Sequence, residues 1–333
     1  MQKIHCLRVH IGCAMALAMM SSAFAAEKSR FDVPRMPDGH PDLQGIWTNA
    51  TITPLERPDQ FGNRLQLTEA EAAALEQRAA RAVEVGARPS DLSKELPAAA
   101  DGVGGYNNFW IDRGSKVVTM NGEKRSSLII DPPSGKVPML TPDRRQQLAG
   151  RAQRMRANFD GPEARPLGER CLLAFGSSSG PPMLPVLYNN HYQIVQSGDT
   201  VTTLVEMVHD ARVIRLNAQH LPASLRKWMG DSIGRWEGDT LVVETTNFTD
   251  KEGFRGATEN RKVIERFTRV AADEIDYRFT IDDPTAFARS WSAEYPFYRT
   301  DEKIYEYACH EGNYALPGIL AGAREQERSS RTQ

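Results

Sequence analysis

The chain has 333 residues, 40% of them hydrophobic and 25% charged, with a formal net charge of −2. That is the composition of an ordinary globular protein, and it excludes collagen-like, low-complexity and polybasic classes. No basic stripe points to nucleic acid or to an anionic membrane surface.

In chain order, the first segment, "MQKIHCLRVHIGCAMALAMMSSAFAAE", has a basic start at Lys3 and Arg8. An apolar run from about Ile11 to Met20 follows, then a small-x-small ending at Ala23-Phe24-Ala25. This is the layout of a secretory signal peptide over residues 1–25, and it predicts a periplasmic or secreted protein. The run is shorter than the roughly 20 residues that span a bilayer, so no stable membrane insertion is expected. Losing Lys3 and Arg8 takes the 41 basic residues to 39 against 43 acidic ones, a balance of −4. Cys6 and Cys13 leave as well, which makes Cys171 and Cys309 an even pair in an oxidising compartment and predicts a disulfide between them.

Residues 31–64 carry five prolines among Asp-Gly, Gly-Asn and Pro-Asp steps, and predict an irregular arm anchored by Leu43, Ile46 and Trp47. Thr68 with Glu71 forms a capping-box signature at the head of a helix dense in Ala and Glu. Residues 86–105, rich in Gly, Pro, Ala and Ser, then read as a linker, so the arm, helix and linker together occupy 26–105.

Residues 106–322 read as the body: short runs of β-branched and aromatic residues, punctuated by "NGEK", "PPSG", "SGDT", Glu237-Gly238-Asp239 and Ala271-Ala272-Asp273. Two helices interrupt them, one with Thr141 before Pro142 and a short one around Pro222 to Met229. "KIYEYACHEGNY" reads as a final strand and residues 323–333 as a disordered tail. Eight or more short strands with few helices predict a mainly β fold: an antiparallel, lipocalin-like β-barrel or a strongly curved sheet with peripheral helices. A β-propeller is the alternative, against which no repeat of about 40 residues recurs.

The stretch "LVEMVHDARVIRL", Leu204 to Leu216, reads as one strand with ionisable groups on both faces. Glu206, Asp210 and Arg212 fall on one face and His209 on the other. A barrel wall facing a cavity accounts for such a row, and a solvated outer ladder accounts for it equally. A His beside a carboxylate suits general acid/base work because its ordinary pKa lies near neutrality. The catalytic candidates are therefore His209, Asp210, Glu206 and Arg212, followed by His310 and Glu311. Neighbours on a strand point to opposite faces, so each His must find its carboxylate on another strand. Trp110, Tyr188, Asn189, His191, Trp228 and Tyr307 are candidate ligand contacts. No HExxH, HxH or CxxC spacing indicates a metal, no GxGxxG or Walker motif indicates a nucleotide cofactor, and "FGSSSGPP" lacks the GxSxG elbow. No cofactor is expected, and the sequence leaves the oligomeric state open.

"PDGHPDLQGIW", "SSLIIDPPSGKVP", "HDARVIRL", "GDSIGRWEGDTLVVETTNF" and "YEYACHEGNY" together resemble a widespread group of exported bacterial proteins to which no reaction is attached. The resemblance runs from about Pro37 to Arg324 and implies an exported fold, without assigning chemistry to any residue. The function expected from the residues is a periplasmic enzyme, a lyase, isomerase or hydrolase, using general acid/base chemistry on a small organic molecule in a barrel cavity. The alternative is a lipocalin-like binding or transport protein for an amphipathic ligand. A third reading is an envelope-associated protein docking through its Pro-rich arm.

Overall fold

A computed structural model describes residues 31–88, 111–174, 179–251 and 253–331. The expected signal peptide, most of the 86–105 linker, Trp110 and part of the serine loop lie outside the described residues. The strands are β1 (Gly45–Thr48), β2 (Thr119–Met120), β3 (Glu123–Lys124), β4 (Ile129–Asp131), β5 (His191–Ser197) and β6 (Thr200–Val205). They continue with β7 (Ala211–Leu216), β8 (Asp231–Glu237), β9 (Thr240–Thr246), β10 (Lys262–Ala271), β11 (Glu274–Asp282) and β12 (Trp291–Arg299). The helices are α1 (Glu69–Gly86), α2 (Pro142–Ala157) and α3 (Ala315–Arg331).

Strands β1 and β5 to β12 close into a nine-stranded barrel, and the propeller is not supported. Closure depends on β1, which pairs with β5 through Trp47 and Tyr192 and with β12 through Trp47 and Arg299. The Pro-rich arm therefore supplies a barrel strand, because Trp47 is fully buried and its indole nitrogen donates to the Leu43 carbonyl at 2.9 Å. The other half of β12 pairs with β4, which lies outside the ring. All barrel pairings are antiparallel except β7 with β8, where the crossover over 217–230 returns the chain in parallel. That crossover holds turns and a bridge from Lys227 to Phe248 where a short helix was expected.

The interior is filled rather than hollow. Tyr277 packs within 5.0 to 5.2 Å, centroid to centroid, of Phe267, Tyr295 and Phe297, and Tyr192 lies 5.2 Å from Phe297. Alternate residues of each strand point inward to build this core, as the period of two requires.

The 204–216 stretch is not one strand. β6 ends at Val205, Met207 to His209 make a tight turn, and β7 starts at Ala211. Val208 and His209 have φ of 59° and 45°, left-handed values that side chains other than Gly rarely adopt. This interruption resets the alternation, so that Val205 and Arg212 both face inward although seven positions apart.

The capping box forms as expected. The Thr68 hydroxyl accepts from the Glu71 amide, and the Glu71 carboxylate accepts from the Thr68 amide at 2.8 Å. Past β12 the chain runs without regular structure to α3. The expected final strand is therefore absent, and the expected disordered tail is the helix up to Arg331.

Candidate active site

Register places two side chains together at one end of the barrel. Tyr192 and Val205 are cross-strand partners that face inward, so the flanking His191 and Glu206 face outward, and the Glu206 amide donates to the His191 carbonyl at 3.0 Å. His191 Nδ1 lies 2.8 Å from Glu206 Oε2, and the other carboxylate oxygen accepts from the Tyr305 amide at 3.1 Å. The Asn189 side chain also hydrogen-bonds to Glu206. Asn190 fixes the preceding loop: its amide accepts from the Val186 N–H at 2.8 Å and donates to the carbonyl of Asp112 at 2.6 Å. His191 is 8% exposed and Glu206 3% exposed.

The imidazole is held between two carboxylates. His191 Nε2 lies 3.4 Å from Glu302 Oε2, whose side chain is 73% exposed. The Glu206 hydrogen bond raises the His191 pKa against the opposing effect of burial, with further help from the charges of Glu302 and Asp112. Burial alone would raise the Glu206 carboxyl. The bonds from His191 and the Tyr305 amide outweigh it, and Glu206 lies below the ordinary carboxylate value. A carboxylate on Nδ1 fixes the ring's orientation and tautomer, and leaves Nε2 to exchange a proton.

The segment after β12 roofs this pair and borders an open cavity of about 990 Å³. A disulfide between Cys171 and Cys309 fastens the roof, and Asn313 Nδ2 adds a bond to the Glu169 carbonyl at 2.7 Å. Tyr188 and Tyr307 line one side and Leu316 and Ile319, from the first turns of α3, another. Tyr307 is pushed up to about 12 by burial and then by Tyr188, to which it is hydrogen-bonded, so its hydroxyl stays protonated.

Among the residues expected at a site, Glu206, Tyr188, Asn189, His191 and Tyr307 meet here, together with both cysteines. The others are elsewhere. His209 is exposed on the turn, and Asp210 accepts from the Ser179 hydroxyl and from the Ala174 amide at 3.1 Å. Burial raises the Asp210 carboxyl. Arg212 points into the barrel, where Nη2 donates to Glu265 at 3.0 Å and Nη1 makes a second, shorter bond. Tyr277 donates to the same carboxylate at 2.8 Å. His310 and Glu311 are exposed on the roof outside the cavity lining, and Trp228 sits half-buried on the crossover. The strand-partner rule explains the corrections: the His that finds a carboxylate across a strand pair is His191, at a strand's first position.

Asp112, Glu302, Tyr305 and Glu306 also line the cavity, and no local pattern in the sequence marks them. Among the described residues no group of three His, Cys, Asp or Glu side chains is placed to hold a metal. Glu206 and Glu302 address opposite ring nitrogens and so cannot converge with His191 on one ion. Another cavity, of about 1010 Å³, lies beside α1 and ends at Arg88 and Ile111, next to residues outside the described set. Among the described residues its lining includes Arg78, Arg113 and Arg255 but no His, Cys or carboxylate. No described protein family, curated protein or solved structure matches this chain.

Proposed function

We propose that this is an exported, periplasmic enzyme that performs general acid/base chemistry on a small organic molecule held between the barrel wall and the disulfide-fastened roof. The observation that carries the reading is the buried Glu206 carboxylate bonded to His191 Nδ1 at 2.8 Å, with Nε2 turned to Glu302, which also lines the cavity. In this mechanism neutral His191 takes a proton at Nε2 and Glu206 stabilises the imidazolium that forms; the proton is returned to the leaving or rearranged group. Tyr307 donates to a carbonyl or developing oxyanion on the substrate. Glu302, whose side chain is 73% exposed, moves off Nε2 when substrate enters.

A lyase, isomerase or hydrolase reaction is compatible with these groups, since each needs a proton moved and none needs a redox cofactor. Binding without turnover is the second reading. Its support is the roof itself, which is fastened by a covalent bond beside tyrosines and aliphatic side chains suited to retaining a ligand. The filled barrel interior argues against a ligand stored there as in a hollow lipocalin.

The test uses the mature, oxidised protein against a panel of small esters, amides and β-hydroxy carbonyl compounds. Under the enzyme reading, His191→Ala lowers any detected turnover roughly 100-fold or more while the unfolding midpoint stays close to wild type. Turnover that survives His191→Ala contradicts it. A co-purifying ligand with no turnover across the panel supports the binding reading instead.

A further inference from the structure

The charge of the cavity lining selects among ligands. Besides His191, its ionisable acid and base groups are Asp112, Glu169, Glu206, Glu302 and Glu306, and no Lys or Arg is among the described lining residues. Glu206 is engaged by His191, and Glu169 is bridged by Arg165 at 2.9 Å. Asp112, Glu302 and Glu306 remain with no Lys or Arg partner among the described residues. The Glu302 carboxylate meets the His191 imidazole at 3.4 Å. The protein's formal net charge is only −2, so this excess is local to the cavity.

Two other features of the cavity point the same way. Tyr188, Tyr305 and Tyr307 offer aromatic surfaces, whose negative π-faces attract cations. Leu316 and Ile319 line the cavity as an apolar wall. The N-terminus of α3 contributes about half a positive charge, which three carboxylates outweigh.

From the cavity, its tyrosines and its unmatched carboxylates, we infer that the ligand is a cationic amphiphile: an amine, quaternary ammonium or guanidinium group on a compact apolar body. The positive group sits by Glu302 and Glu306, and the apolar part lies against Leu316 and Ile319. This inference rests on the proposed role of the His191 cavity and names the class of molecule that enters it. The cation draws Glu302 away from His191 Nε2 and adds a positive charge nearby, so a bound ligand makes the imidazole easier to deprotonate. Glu206 after β6, Glu302 on the roof and Asp112 in the preceding loop are the charged groups that bias this ring.

The experiment titrates the mature, disulfide-intact protein with benzyltrimethylammonium, benzyl alcohol and phenylacetate in turn, following the His191 imidazole signals by NMR after assignment with His191→Gln. The expected result is that the cation shifts His191 and binds at least ten-fold more tightly than the alcohol, whereas phenylacetate does not bind. The Glu302→Gln/Glu306→Gln double variant should reduce the cation's affinity at least ten-fold while leaving that of the alcohol unchanged. If alcohol or phenylacetate perturbs His191 as strongly as the cation does, the charge inference is overturned and the cavity stands. The charge inference also fails if the double variant binds the cation as well as wild type does. If no probe perturbs His191, both the ligand class and the cavity's role are contradicted.

Discussion

His191 owes its chemistry to one register pair. Tyr192 opposite Val205 brings His191 to Glu206, and the carboxylate raises the imidazole pKa. The unfolded chain has the ordinary value of about 6.5. The pair's contribution to stability is therefore fully present only between the unfolded Glu206 value of about 4.3 and about pH 6.5; it is lost as pH rises through the higher native His191 value and as pH falls through the lower native Glu206 value. Glu206→Gln removes the main cause of the shift, and an NMR titration should show His191 deprotonating at a lower pH than in wild type; an unchanged midpoint contradicts the assignment. Asp276 gives a second pH signature. Burial and then Glu294 push its carboxyl up to about 6, so it is more readily ionised in the unfolded chain. Stability associated with it is present below about 3.9 and is lost as pH rises through about 6. Asp276→Asn should raise the Tm at pH 7 to 8 and leave it unchanged near pH 3. A lower Tm at pH 7 would refute the account.

Arg212 separates structural from catalytic charge. It was readable as an unusual residue in a strand, but not as one half of a pair, because Glu265 lies 53 positions away on β10. Arg212→Met leaves Glu265 buried without its counter-charge and should cost about 3 to 5 kcal/mol in denaturant unfolding, most of it recovered in Arg212→Met/Glu265→Leu. A wild-type unfolding midpoint in the single variant would contradict the pairing.

The hairpins at Glu237-Gly238-Asp239 and Ala271-Ala272-Asp273, the capping box and Pro142 at the first turn of α2 were all readable, because turn and cap chemistry acts over three or four residues. The turn over 207–209 was not readable. Met-Val-His carries no Gly, Asn or Asp, and only packing around buried Val208 explains why it adopts left-handed angles. His209→Gly should be neutral to stabilising by up to about 1 kcal/mol, since Gly takes a φ of 45° without strain. A loss of several kcal/mol would mean that the His209 side chain has a structural role. The roof was only half readable: the disulfide followed from an even cysteine count, whereas the irregular path before α3 did not.

The closed barrel follows from many short alternating runs, and this made the fold class accessible from sequence. Closure by a strand from a Pro-rich arm was hidden, because β1 has only four residues and pairs on both sides with distant segments. The cavity was hidden for a similar reason. Its walls come from around residues 112, 168–171, 188–206 and 302–319, and only the folded barrel and the Cys171–Cys309 bond bring them together. The polar groups on the strands had suggested a site within the barrel. The barrel interior instead buries the Arg212–Glu265 pair among aromatic rings, and the His191–Glu206 pair sits on the outer wall.

The central claim is that the His191–Glu206 cavity is the functional centre, and comparing three histidine variants tests it most directly. Wild type, His191→Ala, His209→Ala and His310→Ala would each be purified and compared for turnover on the substrate panel and for retained ligand by native mass spectrometry. The account predicts that His191→Ala alone loses turnover or ligand while His209→Ala and His310→Ala behave as wild type. Retention of both in His191→Ala, with loss in either of the others, would contradict it.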